Sequence, residues 1–264
     1  MRNAQQYLGP MLQSIVGQTY KGNMELCVYD DGSTDDSRQI LEGWRETLCA
    51  RGVQLVITPS PSQTAGGCGK GRNVAVQNSK GSFLCFLDAD DIMAPRRVEA
   101  QLEIAQRHQN ALVGSRVWRN DEATPRYTRW LNTMTQDQLY WQRLREVTLC
   151  QPTWFCSRAV FHAVDGYVED HANQAEDMIF LYKHVANGGA LIRADEELLF
   201  YRFHAGSVTG QRAVSKDVIW GLRVAELERL LATDTRWCRG FTIWWEGNIK
   251  QQSFGFHERN PKVF

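Results

Sequence analysis

Apolar residues recur at helical spacing from the start of the chain. Tyr7, Leu8, Met11, Leu12, Ile15 and Val16 fall on one face and predict an amphipathic helix. The run Met24-Glu25-Leu26-Cys27-Val28-Tyr29 predicts a strand, followed by a helix to about Cys49 and a second strand over residues 53–57. Thr58-Pro59-Ser60-Pro61 opens a glycine-rich loop. A helix near residues 71–79 leads to a strand over 82–87, apolar from Phe83 to Leu87, and another helix covers about 95–108. Such alternation predicts an α/β fold, a mostly parallel central sheet with right-handed crossovers. After a strand at 113–118 the rhythm breaks. Residues 120–155, rich in Trp, Tyr and Arg, read as an insertion with one helix near 136–145. A helix over 174–186 closes on Gly188-Gly189, and short strands follow at 190–193 and 198–203.

The strand over 82–87 ends abruptly in Asp88-Ala89-Asp90-Asp91. Open α/β sheets place ligands at the carboxyl ends of their strands, so these acids are a seat for a divalent cation and the phosphates it neutralises. An Asp-x-Asp pattern can equally cap the next helix. A second acidic turn shifts the balance: the strand over 24–29 runs into Asp30-Asp31-Gly32-Ser33-Thr34-Asp35-Asp36, with Ser33 and Asp36 at capping-box spacing. Two strands then deliver carboxylates to one edge, which points to phosphate-ester chemistry. Gly66-Gly67-Cys68-Gly69-Lys70-Gly71-Arg72-Asn73 also mixes glycine with basic residues. It is not a P-loop, because Gly71 follows Lys70, and its glycine spacing fails the dinucleotide fingerprint.

Composition permits this reading and excludes others. A chain of 264 residues with 43% hydrophobic content can bury one main core plus an appendage, and 30 basic against 30 acidic residues leave no charge excess to hold nucleic acid. The 7 cysteines are odd in number and scattered, which suits reduced thiols in the cytoplasm. No window approaches the roughly 18–20 apolar residues of a membrane span, and the first residues do not form a signal peptide.

Taken in order, Gln18-Thr19-Tyr20, Asp30-Asp31-Gly32-Ser33-Thr34-Asp35, Gly71-Arg72-Asn73, Phe86-Leu87-Asp88-Ala89-Asp90-Asp91 and Glu176-Asp177 resemble the signature of family 2 glycosyltransferases with the GT-A fold, from about Asn3 to about Thr209. Within the family the chain is similar to an animal N-acetylglucosaminyltransferase-like branch. The resemblance implies an inverting, metal-dependent transfer from a UDP-sugar to an acceptor hydroxyl on a glycan, lipid or protein. It gives Asp30 and Asp31 to the nucleobase, Asp88 to the ribose, Arg72 and Asn73 to the donor, and Asp90, with Asp88 and His204, to Mn²⁺ or Mg²⁺. Asp177 is the implied base, with Glu176 orienting the site, and Trp154, Tyr167 and Glu169 face the acceptor, whose specificity would sit in the insertion. Simpler roles stay open: Asp31 bonding its own turn, Arg72 solvated, Asp177 a first-turn helix acid, His204 hydrogen-bonded in place, and Trp154 and Tyr167 in the core.

The chain departs from the family pattern at both ends. Family members begin with an apolar strand where this chain has Met1, and Phe241-Thr242-Ile243-Trp244-Trp245 reads as a strand with little to cover it. The expectation is therefore a transferase domain over 1–210 lacking its first strand, with a helical, truncated appendage over 211–264, as in a spliced product. Its alternative function is a weak or inactive nucleotide-sugar-binding protein.

Overall fold

A computed structural model describes residues 1–62, 64–120, 125–169, 175–204 and 216–233. The chain divides into two units, Met1–Val218 and Ile219–Phe264. The expected boundary at 210/211 and the expected strand at 241–245 lie outside the described residues.

The first helix, α1 (Gln5–Val16), buries Leu8, Met11, Leu12 and Ile15, the face that its periodicity predicts. Strand β1 (Met24–Asp30) and strand β2 (Val53–Pro59) pair in parallel, with Leu26 opposite Leu55. Between them the expected single helix is broken at Gly43-Trp44 into α2 (Ser37–Gly43) and α3 (Arg45–Ala50). Leu41, Leu48, Val53 and Leu55 join the α1 residues and Met93 in one apolar cluster. The capping box does not form: the Ser33 hydroxyl accepts instead from the Asn3 N–H at 3.0 Å.

Helix α4 (Gly67–Gln77) begins four residues before the expected start, its entry permitted by Gly67 at φ +82°. Strand β3 (Phe83–Cys85) is followed by the acidic turn, the two-residue strand β4 (Ile92–Met93), helix α5 (Arg97–Arg107) and strand β5 (Ala111–Arg119). Gln18 locks α1 against this region, its Nε2 donating to the Ala94 carbonyl at 2.8 Å and its Oε1 accepting from the Val98 N–H at 3.1 Å. Among its described residues the insertion holds the α-helices α6 (Pro125–Thr133) and α7 (Gln136–Trp141), where one helix was expected, the latter opened by a full Thr135–Gln138 capping box, with short 3-10 turns at Gln142–Leu144 and Gln151–Thr153. Strand β6 (Phe155–Ser157), helix α8 (Arg158–Ala163), helix α9 (Glu176–Ala186), strand β7 (Ala190–Tyr201) and helix α10 (Lys216–Thr233) complete the described elements.

The fold is α/β, but its central sheet is mixed and not mostly parallel. Its order is β3-β6-β5-β7-β4, with β5 and β7 parallel, β6 antiparallel to both β3 and β5, and β4 antiparallel to β7. The cause is that β4 and β6 enter as short excursions without a crossover helix, and two or three residues carry no readable periodicity. Strand β7 is continuous where two strands were expected; the polar stretch Asp195-Glu196-Glu197 faces register shifts at Ser115–Val117, a local bulge that keeps the ladder intact.

Strands β1 and β2 form a separate sheet. Among the described residues β1 pairs only with β2 and β3 only with β6, so one edge of each stays open. Met1 touches the open edge of β1: its amino group donates to the Tyr29 carbonyl at 2.7 Å, and the Asp31 N–H donates to the Met1 carbonyl at 2.8 Å.

Candidate active site

The residues that follow β1, β3 and β7 lie close to α4 and to the start of α9, which brings many of the predicted residues near one another. Arg72 stands at their centre. Its Nη2 donates to Asp88 Oδ1 at 2.9 Å, its Nη1 donates to Glu176 Oε1 at 3.1 Å, and the guanidinium lies 5.4 Å from the centre of the Tyr167 ring. Burial opposes its charge, but Asp88 and further acidic neighbours including Glu176 outweigh that and hold it firmly protonated. The solvated alternative for Arg72 is set aside by these bonds.

Asp30 and Asp31 are both buried. Asp30 Oδ1 accepts from the Ser33 N–H at 3.1 Å, and Asp30 lines an open cavity of about 490 Å³ with Gly32, Ser33, Pro59 and Ser60. Asp31 reaches across to the loop before α4, accepting from the Gly66 N–H at 2.7 and 2.9 Å and from the Gly67 N–H at 3.1 Å. It anchors the positive end of the helix that carries Arg72. Asn73 spends its amide on the facing loop: Nδ2 donates to the Tyr167 carbonyl at 2.8 Å and to Glu169 at 2.9 Å, and Oδ1 accepts from the Tyr167 N–H at 2.9 Å. Gly69 lets that loop approach, since a Cβ there would meet the Val168 carbonyl at 2.3 Å.

On the other side, Asp90 Oδ2 and His204 Nε2 lie 2.9 Å apart, both partly exposed, with Asp88 beside them. Burial, and then the neighbouring Asp88 carboxylate, push the Asp90 acid up against the opposing pull of His204. Asp91 is 1% exposed, and burial followed by Asp88 pushes it to about 9. Its Oδ1 accepts from the Arg202 N–H at 2.8 Å, and Arg202 Nε donates to the Asp90 carbonyl at 2.8 Å. Tyr7 packs on His204 with ring centres 4.7 Å apart, and the Arg202 guanidinium lies 5.4 Å from the Tyr7 ring centre. The helical pattern places Tyr7 only on the apolar face of α1 and nothing local singles out Arg202, because each reaches its partner across the fold.

Crowded carboxylates are the oxygen donors that suit Mn²⁺ or Mg²⁺, their mutual repulsion is what a cation would relieve, and of the two ions Mn²⁺ accepts an imidazole beside them more readily. The residues fit such an ion in chemistry, with Asp90 and His204 already converged. Among the described residues, no three such groups stand close enough together to form a ready cage.

Glu176 and Asp177 open α9. Burial first, and the adjacent Glu176 second, push Asp177 up to about 6, while its Oδ1 accepts from the Met178 N–H at 2.7 Å. Two acceptor assignments are corrected. Trp154 is 0% exposed and Tyr167 3% exposed, so neither can present a face to a sugar. They stack on each other with centres 6.2 Å apart and an interplanar angle of 11°, and both pack on Phe180. Trp154 Nε1 donates to the Leu149 carbonyl at 2.8 Å, and the Tyr167 hydroxyl accepts from Gln151 at 3.0 Å. The core alternative describes these two rings. Glu169 stays at the cleft, held by Asn73.

The six described cysteines are free thiols, and no described helix is long and apolar enough to cross a membrane.

Comparison with known proteins gives the family and the fold. The family model "Glycosyl transferase family 2" matches residues 1–164. The poly(ribitol-phosphate) beta-N-acetylglucosaminyltransferase TarS of Staphylococcus aureus is 27% identical over 201 residues, 75% of this chain and 34% of that protein. A putative glycosyltransferase of Bacillus subtilis, EpsE, is 25% identical over 166 residues, 62% of this chain and 56% of its own. The chain thus spans about a third of the length of the TarS protein it matches. Among solved structures, S. aureus TarS 1–349 in complex with UDP-GlcNAc superposes with a TM-score of 0.64 at 21% identity, covering 86% of this chain and 64% of that one. The mannosyltransferase PcManGT from Pyrobaculum calidifontis, in complex with GDP-Man and Mn²⁺, gives 0.58 at 13% identity, covering 89% and 74%. At these identities the structural likeness speaks for the GT-A fold.

Proposed function

The chain belongs to glycosyl transferase family 2, and from that premise we propose that it is an inverting, metal-assisted glycosyltransferase of the cytoplasm that moves a sugar from a UDP-sugar to an acceptor hydroxyl. N-acetylglucosamine is the favoured donor sugar, since it is what the name of TarS specifies and what the animal branch implies. The acceptor's identity is left open by this reading.

One observation carries it: Arg72 joins Asp88, assigned to the donor ribose and the cation, to Glu176, next to the assigned base on α9, within 3.1 Å on each arm. A displacement at an anomeric carbon needs both sides of that carbon held at once. In the proposed mechanism Asp30 and the cavity beside it seat the nucleobase, Asp31 fixes the start of α4, and Arg72 neutralises charge that develops on the departing diphosphate. Asp90, His204 and Asp88 would hold a divalent cation, which supplies further neutralisation of that diphosphate. Asp177 accepts the acceptor's proton as its oxygen attacks, and an acid held near 6 is ionised at neutral pH while still basic enough to take it. Glu176 keeps Arg72 in place, and Asn73 with Glu169 shapes the loop that meets the acceptor.

A second reading is favoured by the open edges of β1 and β3: a protein that binds nucleotide sugar and turns it over weakly or not at all. Calorimetry with UDP and Mn²⁺, run beside UDP release from UDP-N-acetylglucosamine, separates the two. Binding with sugar release supports the transferase; binding alone supports the second reading. Asp90→Ala should abolish metal-dependent UDP binding and leave the fold intact, and unchanged affinity would remove Asp90 from the site.

A further inference from the structure

Arg97 has no part in the proposed reaction and is 0% exposed at the start of α5. Burying a guanidinium is costly unless its donors are spent. Among the described residues no carboxylate bonds to it. Its Nη2 donates instead to the carbonyls of Phe86 at 2.6 Å and Pro152 at 2.7 Å, and its Nε donates to Gln101 Oε1 at 3.0 Å. Gln101, also 0% exposed, extends the brace through Nε2 to the carbonyls of Val113 at 3.1 Å and Thr153 at 2.8 Å. These bonds tie the backbone leaving β3 to β5 and to the turn at Gln151–Thr153. Phe86 stands two residues ahead of Asp88.

The same guanidinium is an electrostatic neighbour of the acidic turn. Arg97 Nη1 and Asp91 Oδ2 are both buried, and among the described residues neither has a hydrogen-bond partner. Asp91 lies within reach of the Arg97 charge. From Asp91 the network continues through Arg202, whose N–H and Nε hold Asp91 and the Asp90 carbonyl, to the Asp90–His204 pair. A connected path therefore runs from the core to the cleft: Arg97 at the Phe86 backbone, Asp91 on the turn that follows, Arg202 bonded to Asp91 and to the Asp90 carbonyl, and Asp90.

We propose that Arg97 is a positioning residue for the donor site, whose buried guanidinium fixes the backbone from Phe86 to Asp91 and, through Asp91 and Arg202, holds Asp90 against His204. This role deepens the donor-site reading above and rests on it only for its functional consequence. An arginine is needed because a planar fork serves three fixed acceptors together, which the single ammonium of a lysine cannot do. Helix α5 has separate anchors in Ala100, Ala105 and the Gln18–Val98 bond, so loss of the brace need not release the helix.

Amide hydrogen exchange on Arg97→Lys tests the placement without any ligand. Residues 86–93 and 199–203 should exchange roughly tenfold faster or more, while 5–16 and 176–186 keep the parent's protection. Gln101→Met keeps the charge but removes its brace, so it should reproduce the pattern at smaller amplitude and covers the case of Arg97→Lys failing to fold. In parallel, the affinity for UDP with Mn²⁺ should fall about tenfold in Arg97→Lys, with the acceptor KM unchanged. Exchange that is unchanged, or that rises uniformly along the chain in both variants, overturns the proposal. A parent protein that fails to bind UDP would instead sink the transferase reading, and the exchange data would still decide the placement.

Discussion

Arg72 and Glu176, 104 positions apart in sequence, meet at 3.1 Å, and this contact makes one site of what the chain carries as separate motifs. Because the second arm of Arg72 holds Asp88 at 2.9 Å, removing it leaves two carboxylates facing each other across the cleft. Arg72→Ala should therefore lower donor kcat/KM by roughly a hundredfold to a thousandfold, the size expected when one donor to developing charge is lost. Arg72→Lys should recover only part of this, since a point charge cannot bridge both acids. Steady-state kinetics on the two variants checks it; full activity in Arg72→Lys would mean that the bridge is dispensable.

Asp177 gives the site a pH signature. It must be ionised to accept a proton, so kcat/KM for the acceptor should rise through about pH 6 and level off above it. Its effect on stability has the opposite sign. An acid whose folded pKa is raised contributes fully below its unfolded value of about 3.9 and loses that contribution as pH climbs through the folded value. Asp177→Asn should thus erase the rise, lower turnover roughly a hundredfold to ten-thousandfold, leave donor affinity within a few-fold, and melt no lower than the parent at pH 7. Equal losses in donor affinity and turnover would assign it a structural role.

The motifs were legible because each is local: an apolar run ending in acids states both the strand and what the strand delivers. Asp30, Asp31, Asp88 and Asp90 are of this kind, and Arg72 follows from its place beside glycines at a helix start. Arg97 and Arg202 were not legible. Arg97 acts on carbonyls 11 and 55 positions away, Arg202 on an acid 111 positions away, and nothing in their neighbourhoods marks them apart from solvated arginines. Strands β4 and β6 failed for lack of length, and with them went the mixed character of the sheet. Aromatics failed for a chemical reason, since Trp and Tyr suit a core and a sugar face alike.

Trp154 offers a direct check on that last point. As a core residue with its Nε1 bonded to the Leu149 carbonyl, it should resist replacement through stability and not through binding. Trp154→Phe keeps a ring but strands a buried carbonyl, a loss of about 1–3 kcal/mol. Urea unfolding should show that loss while the acceptor KM stays within about twofold. A raised KM with unchanged stability would return Trp154 to the acceptor site.

Asp31 separates two meanings of one acid. Its three contacts to the N–H groups of Gly66 and Gly67 make it an anchor for the start of α4, whereas the family resemblance gives it to the nucleobase. Loss of an anchoring cap costs about 0.5–2 kcal/mol, a few degrees in Tm for a domain of this size. If the anchor is what matters, Asp31→Ala shifts the loop leading to Arg72, so affinity for UDP and for inorganic pyrophosphate, each with Mn²⁺, should fall by the same factor. If Asp31 reads the base, UDP affinity should fall and pyrophosphate affinity should hold. The geometry favours the first outcome, because those three N–H contacts already occupy both oxygens of the carboxylate and leave little of it for a base.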